Sequence, residues 1–217
     1  MTPCFYPVGD RAVMVEFATS LNPAAHTAVL TLDRALTART FAGFQQSVPA
    51  FVTLLVMFDP EQADHTAVET HLRGLLGARS ETVSASQSHN IAIQYEGAAD
   101  LPAVSEQTGL PPAEIAALHQ SAIYEVAMYG FAPGYAYLSG LPPALHLDRK
   151  PVPVRNVPAG SVIIAGGQCL ITTLTMPTGW WVIGRSPARI LTDDPDHPFL
   201  FGVGDRIRFQ AAPGSTA

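Results

Sequence analysis

Cysteine is nearly absent from this chain. Cys4 and Cys169 allow one bridge at most in 217 residues, so a disulfide framework is excluded as the source of stability. Neither lies in a zinc-ligand spacing, and a reducing compartment, the cytoplasm, is the expected setting. Charge is also sparse. Asp, Glu, Lys and Arg make up 14% of the residues, and 12 basic against 18 acidic side chains leave a formal charge of −6. That balance excludes the basic footprint of a nucleic-acid binder. The opening MTPCFYPVGDRAV lacks a basic stretch followed by an apolar run, so no secretory signal is expected. The long uncharged tract Asn156 to Gly184 is cut by Pro158, Gly160, Gly166, Gly167, Pro177 and Gly179, which leaves strand-length pieces and no expected membrane span.

What the chain does have is apolar mass and turns. Hydrophobic residues reach 47% and mean hydropathy is +0.19, and a chain of this length hides roughly 70% of its unfolded surface. The scarcity of charge further indicates a surface covered by a partner. With 19 Pro and 17 Gly, a helical bundle is disfavoured and many short strands are expected.

The first third alternates strand and helix patterns. AVMVEF (Ala12 to Phe17) and FVTLLVMF (Phe51 to Phe58) read as strands by alternation and β-branched content. Asn22 followed by Pro23 caps a helix that buries Ala25, Val29, Leu32 and Leu36, and a second helix near Asp64 buries Val68, Leu72, Leu75 and Leu76. The order suits an α+β layer of the split βαβ type. The polar, serine-rich stretch Ser80 to Asn90 reads as a connector, which gives an α+β domain over 1–84 and a mainly-β domain over 85–217. The latter opens with a strand over Ile91 to Glu96. Two short helices follow, the first started by Asp100 and ended by Gly109, the second started by Pro111-Pro112. IYEVAMYGF, SVIIA, CLITTLT, WWVIG, ARIL and DRIRF then alternate with Gly- or Pro-bearing turns, the pattern of a barrel or closed sheet.

Few side chains are arranged for chemistry. His65 and His71 are six apart on one helix, about 240° around its axis at roughly 100° per residue, so they share no ligand. His26, His89, His146 and His197 stand isolated in polar or loop contexts, and Asp193, Asp194 and Asp196 read as a solvated loop. His119 stands apart, at a helix end before the strand that leads to a glycine-proline loop, where either a site role or an interaction with the helix dipole fits. In that loop, GFAPGYAYLSGL, Phe131, Tyr135 and Tyr137 are presented around Pro133 and Gly134. A rigid aromatic rim of this kind suits a small planar polar ligand, and a wide turn packed on its own aromatics fits as well. VPAGSVIIAGGQ has neither the lysine of a phosphate loop nor the dinucleotide glycine pattern. Ser161 lies outside a nucleophile elbow. Ser161 and Gln168 are candidate hydrogen-bonding groups, and Arg155 a candidate for a carboxylate or phosphate, each with a structural role as the alternative.

Taken together, GFAPGYAYLSGL, VPAGSVIIAGGQ, the turn Pro177-Thr178-Gly179-Trp180, IGRSP (Ile183 to Pro187) and GDRIRF (Gly204 to Phe209) resemble the family of B-type subunits of 5-oxoprolinase. That family is also described as allophanate hydrolase subunit 1 or as Kip-type kinase inhibitors. Gly9-Asp10, Asn22-Pro23, Val48-Pro49 and Asp59-Pro60 extend the resemblance over nearly the whole chain. It implies an α+β domain followed by a cyclophilin-like β-barrel, similar to one half of a carboxyltransferase domain. It further implies a non-autonomous subunit of an ATP-dependent hydrolase of cyclic amides, paired with a C-type subunit and with an A-type subunit. ATP would be held mainly by those partners. A Kip-type inhibitor of a sensor histidine kinase and a urea or allophanate pathway subunit are the alternatives. Ala132, Tyr135, Ala136, Cys169 to Thr173, Met176, Thr178 and Val154 depart from the usual family pattern. The departures fall mostly in turns and leave room for a different amide or urea-like ligand. The implied pocket comprises Phe131, Pro133, Gly134, Tyr135 and Tyr137 as wall, with His119, Arg155, Ser161 and Gln168 as polar contributors. No catalytic residue is assigned.

Overall fold

Alternating side chains set the first sheet. In β2 (Ala12–Glu16), Val13 and Val15 are buried, and in β4 (Thr53–Phe58), Leu54, Val56 and Phe58 are buried. This face meets α1 (Pro23–Ala38) and α2 (His65–Leu75) through Val29, Leu36, Val68 and Leu72. Both helices start where the sequence places a cap. Asn22 Oδ1 accepts from the Ala24 and Ala25 amides at 2.9 and 3.2 Å, and Asp64 Oδ1 accepts from Ala67 at 2.8 Å, which satisfies otherwise orphaned donors. Two further strands, β1 (Cys4–Val8) and β3 (Phe44–Pro49), complete an antiparallel sheet in the order β1-β2-β4-β3. Because β4 lies between β2 and β3, the segment β2-α1-β3 forms a split βαβ unit. The two added strands are the sheet's edges. Their largely exposed residues show no clean alternation, and for that reason they escape a reading by pattern.

The computed structural model describes residues 2–77 and 86–212 and divides into two units, Met1–Ala85 and Ser86–Ala217. Residues 78–85, most of the expected connector, lie outside the described residues. Its last part, Ser88 to Asn90, belongs to β5 (Ser88–Ile93).

The second unit is mainly β. After β5 come α3 (Leu101–Thr108), α4 (Pro112–Ser121), β6 (Tyr124–Tyr129), β7 (Ala136–Ser139), β8 (Val154–Val157), β9 (Ser161–Ala165) and β10 (Gln168–Ile171). They are followed by β11 (Met176–Thr178), β12 (Trp181–Arg185) and β13 (Arg206–Ala211). Seven strands pair in the order β12-β9-β10-β7-β6-β13-β5. The two ends then meet: Gln94, just past β5, and Arg185 of β12 exchange two backbone hydrogen bonds of 2.8 Å, which closes the sheet into a barrel. Gly184 permits this closure, since a Cβ there would lie 2.8 Å from Ile93 Cδ1 and 2.9 Å from the Gln94 carbonyl.

Both faces of the barrel wall are buried, which explains the unbroken apolar runs SVIIA and CLI. Val162, Ile164, Cys169 and Ile171 point inward with Tyr124, Ile207 and Phe209. Ile163, Leu170 and Val182 point outward with Tyr135 and Trp180, under Val157 and Met176 of the β8–β11 ribbon. ARIL (Ala188 to Leu191) departs from expectation and forms no strand. Its one bridge joins Leu191 to Phe199, and Ile190 serves as a core residue within a loop. Asp205 of the GDRIRF segment is a structural residue. Its carboxylate accepts from the Gln87 and Gly202 amides and contacts His89 Nε2, at 2.8, 2.8 and 2.9 Å. Among the described residues, no helix is long and apolar enough to cross a membrane.

Candidate functional site

The loop between β6 and β7 is fixed at one point and bare at another. The Thr173 hydroxyl donates to the Pro133 carbonyl at 2.6 Å. Gly134, at φ +74°, lies so close to Thr173 and Leu191 that a Cβ would approach each to 2.9 Å. Three residues earlier, Phe131 holds φ +69° and is 76% exposed. A bulky side chain in the left-handed region is strained by roughly 1–2 kcal/mol, and exposing an aromatic forgoes its burial. The fold sustains both costs at the same residue.

Beside Phe131 opens a cleft of about 140 Å³ on the outer face of the barrel, walled by Tyr135, Tyr137 and Trp180. Its floor is Ile163 and Leu170. Phe131 and Tyr135 tilt together at 5.8 Å between centroids, and Tyr137 meets Trp180 edge-on at 5.8 Å. Burial raises the hydroxyl pKa of Tyr135 and of Tyr137, with Arg149 partly offsetting the rise at Tyr137. Both phenols therefore stay protonated and able to donate.

Arg149 also lines the cleft, and its neighbours pin it from both sides. The Trp181 indole donates to the Asp148 carbonyl at 2.7 Å, and the Lys150 amide donates to the Gly179 carbonyl at 2.7 Å. Lys150 Nζ lies 2.5 Å from Asp100 Oδ2, which also accepts from the Val182 amide at 2.7 Å. Asp100 therefore makes no cap bond to α3 and instead ties the segment carrying Arg149 to the barrel. The Arg149 guanidinium itself, 5.8 Å from the Trp180 ring centroid, has no hydrogen bond or ion pair among the described residues.

Known proteins share this arrangement of elements. A model of the carboxyltransferase domain, subdomains C and D, matches residues 3–201. The chain belongs to this carboxyltransferase-domain family. It is 32% identical to the B-type subunit of 5-oxoprolinase from Escherichia coli O157:H7, over 94% of each chain. It is 29% identical to the B-type subunit of 5-oxoprolinase from Bacillus subtilis (strain 168), over 93% of this chain and 90% of the relative. The crystal structure of TTHA0988 superposes with a TM-score of 0.84 at 34% identity, covering 96% of this chain and 41% of that one. The carboxyltransferase fold seen here thus also occurs inside a chain more than twice as long.

Within this carboxyltransferase-family barrel, only some of the candidate site residues come together. Phe131, Tyr135 and Tyr137 line the cleft, and Pro133 and Gly134 anchor the loop that forms its rim. Gln168 lies two residues before Leu170 on β10, hence on the same outward face, but it does not line the cleft. Arg155 is exposed on β8 beside Asn156, whose φ of +58° breaks the strand's alternation, and it too stays off the cleft. Arg149 provides the guanidinium there instead.

Ser161 and His119 lie away from this cleft. Ser161 is buried and its hydroxyl donates to the Pro158 carbonyl at 2.8 Å, while its amide is bound by Thr172 Oγ1 at 2.9 Å. This closes a turn beside a second cleft, about 360 Å³, lined by Gly160, Thr172, Ser186, Arg189 and Leu191. His119 is fully buried inside the barrel, away from the cleft, with Nδ1 2.7 Å from the Tyr95 hydroxyl and Nε2 3.4 Å from Cys169 Sγ. Desolvation pushes its pKa down to about 3 and raises that of the Cys169 thiol. The Cys–His pair is therefore neutral and closed to solvent, unlike a nucleophilic dyad. Among the described residues, no three His, Cys, Asp or Glu side chains are placed to hold a metal ion. Asp193 pairs with Arg189 and Asp194 with His197 at the surface.

Sequence reading missed Arg149 and Trp180. The available signal for Arg149 was DRK at Asp148 to Lys150, a charged triplet in a chain where charge is sparse.

Proposed function

We propose that this chain is a non-autonomous, cytoplasmic subunit of an ATP-dependent amidohydrolase that opens 5-oxoproline to glutamate, and that it works with C-type and A-type partner subunits. The observation that carries this reading is a one-sided cleft: strained, exposed Phe131 stands at its rim, and among the described residues no histidine, cysteine or carboxylate lines it to serve as base or activated nucleophile. Such a surface is costly on a solitary protein and useful on one whose pocket is completed by another chain. The relatives are named as B-type subunits of 5-oxoprolinase, and the matching region fills 41% of TTHA0988, which supports an assembly of several parts.

In this reading the chain binds and orients. The faces of Phe131 and Trp180 sandwich a flat five-membered lactam, and the Tyr135 and Tyr137 hydroxyls donate to its polar edge. Amide resonance makes the lactam carbonyl a weak electrophile, so its oxygen takes up the γ-phosphoryl group of ATP, with ADP leaving, before water adds at carbon. Breakdown then cleaves the ring C–N bond and releases phosphate, which leaves the amine and the new carboxylate together on glutamate. A space of about 140 Å³ suits the lactam rather than a nucleotide, so in this reading the aromatic cleft does not hold ATP, which is assigned to a partner. Co-expression with a second carboxyltransferase-half subunit and an A-type subunit tests the proposal. The complex is expected to release glutamate from 5-oxoproline with ATP, and the chain alone none. A stable complex without turnover, together with lowered autophosphorylation of a sensor kinase by the chain, would favour the regulatory alternative.

A further inference from the structure

We infer that Arg149 is the carboxylate anchor of the aromatic cleft, which selects small planar acids over their uncharged counterparts. This rests on the reading of a small amide ligand, and it specifies what else that ligand must carry.

The fold treats two adjacent cations differently. Lys150 is spent: its ammonium is buried against Asp100 at 2.5 Å, with side-chain exposures of 8% and 17%, and it lies 5.4 Å from the Trp181 ring. Desolvating such a pair is expensive, and its return is geometric. It fixes the backbone at 150, while the Trp181 indole fixes it at 148. The residue held between these pins, Arg149, directs its planar fork toward the cleft with no acidic partner among the described residues. An arginine whose backbone is immobilised while its five donors stay open is pre-organised for an external anion.

The surroundings narrow that anion to a carboxylate. The cleft walls are aromatic and flat, so the ligand is planar. One guanidinium matches a carboxylate through two parallel hydrogen bonds. A phosphate dianion calls for a second cation, whereas the remaining side-chain polar groups lining the cleft, the Tyr135 and Tyr137 phenols and the Thr178 hydroxyl, are neutral. The acid therefore lies with its plane along Trp180 and its carboxylate at Arg149. Benzoate meets this description in full, and 5-oxoproline in part: its lactam is nearly flat, and its carboxylate, on a tetrahedral carbon, stands out of the ring plane.

Tryptophan fluorescence of the full chain, which has two Trp, reads out occupancy of the cleft. The probes are 5-oxoproline against 2-pyrrolidinone, benzoate against benzamide, and inorganic phosphate. Carboxylates are expected to give a saturable change in the millimolar range that Arg149→Gln weakens about ten- to hundredfold, with Arg149→Lys in between. The uncharged members should bind both forms alike. Circular dichroism of each variant should match wild type, since Arg149 is exposed. Unchanged carboxylate affinity in Arg149→Gln, no saturable response to either acid, or phosphate binding as tightly as benzoate would overturn the assignment. If benzoate binds through Arg149 and 5-oxoproline binds neither the chain nor the assembled complex, the anchor stands and the 5-oxoproline reading falls.

Discussion

Two glycine-proline segments of the barrel look alike in sequence and do opposite things. In Pro158–Ser161, the polar groups are consumed within the turn. Ser161 and Thr172 hydroxyls both reach the Pro158 carbonyl at 2.8 Å, the Gly160 amide donates to the Thr172 carbonyl, and the Gly160 carbonyl accepts from the Ser186 amide. In Gly130–Tyr135 the backbone is closed by three turn hydrogen bonds, yet Phe131 is strained and exposed above a cleft. Density of glycine and proline marks a tight turn in both. Only groups left unspent mark a site.

This contrast can be broken most forcefully at Gly160. Its φ is +83° and an added Cβ would sit 2.8 Å from the Ser186 carbonyl, so Gly160→Ala should cost about 2–3 kcal/mol, read as a lowered urea midpoint. Stability at wild-type level would mean that this turn is not the brace described.

Acid should act on the barrel interior rather than on the cleft. In the unfolded chain the His119 imidazole titrates near 6.5, and burial holds the folded pKa at about 3. Above 6.5 both states are neutral. As pH falls below it only the unfolded chain gains the proton, so the folded state loses on the order of 2 kcal/mol between about pH 6.5 and 5. Unfolding free energies at the two pH values should differ by that amount, and His119→Gln should flatten the dependence. An equal slope in the variant would assign the effect elsewhere.

A smaller effect is expected at Ser161. Ser161→Ala removes one buried hydrogen bond and should cost about 1 kcal/mol, while leaving the KM of the assembled enzyme for 5-oxoproline unchanged. A raised KM at retained stability would return Ser161 to the site.

What the sequence made legible was local. Asn22-Pro23, Asp64 and Gly109 mark helix ends because capping is decided within a few residues, and SVIIA marks a strand buried on both faces. Edge strands β1 and β3 were not legible, since an exposed strand carries little alternation. Closure of the barrel through Gln94, Gly184 and Arg185 joins residues about ninety positions apart, and no local pattern encodes it. The site divides in the same way. Phe131, Tyr135 and Tyr137 can be read from the punctuation of their own loop. Arg149 cannot, because what frees its guanidinium is the use of Asp100, Trp181 and Gly179 to hold its neighbours. His119 and Ser161 show the converse: the Tyr95 hydroxyl and the Cys169 thiol already face the His119 ring, and the Pro158 carbonyl, three residues away, already takes the Ser161 hydroxyl.

That the fold tolerates Phe131 for the sake of a ligand is tested most directly by Phe131→Gly, measured for unfolding and for KM in the assembled complex. Glycine relieves the positive φ and little buried area is lost, so stability should stay within about 1 kcal/mol of wild type, on the stable side. KM for 5-oxoproline should rise about tenfold. A variant that unfolds more readily while its KM is unchanged would contradict the claim and make Phe131 a packing residue.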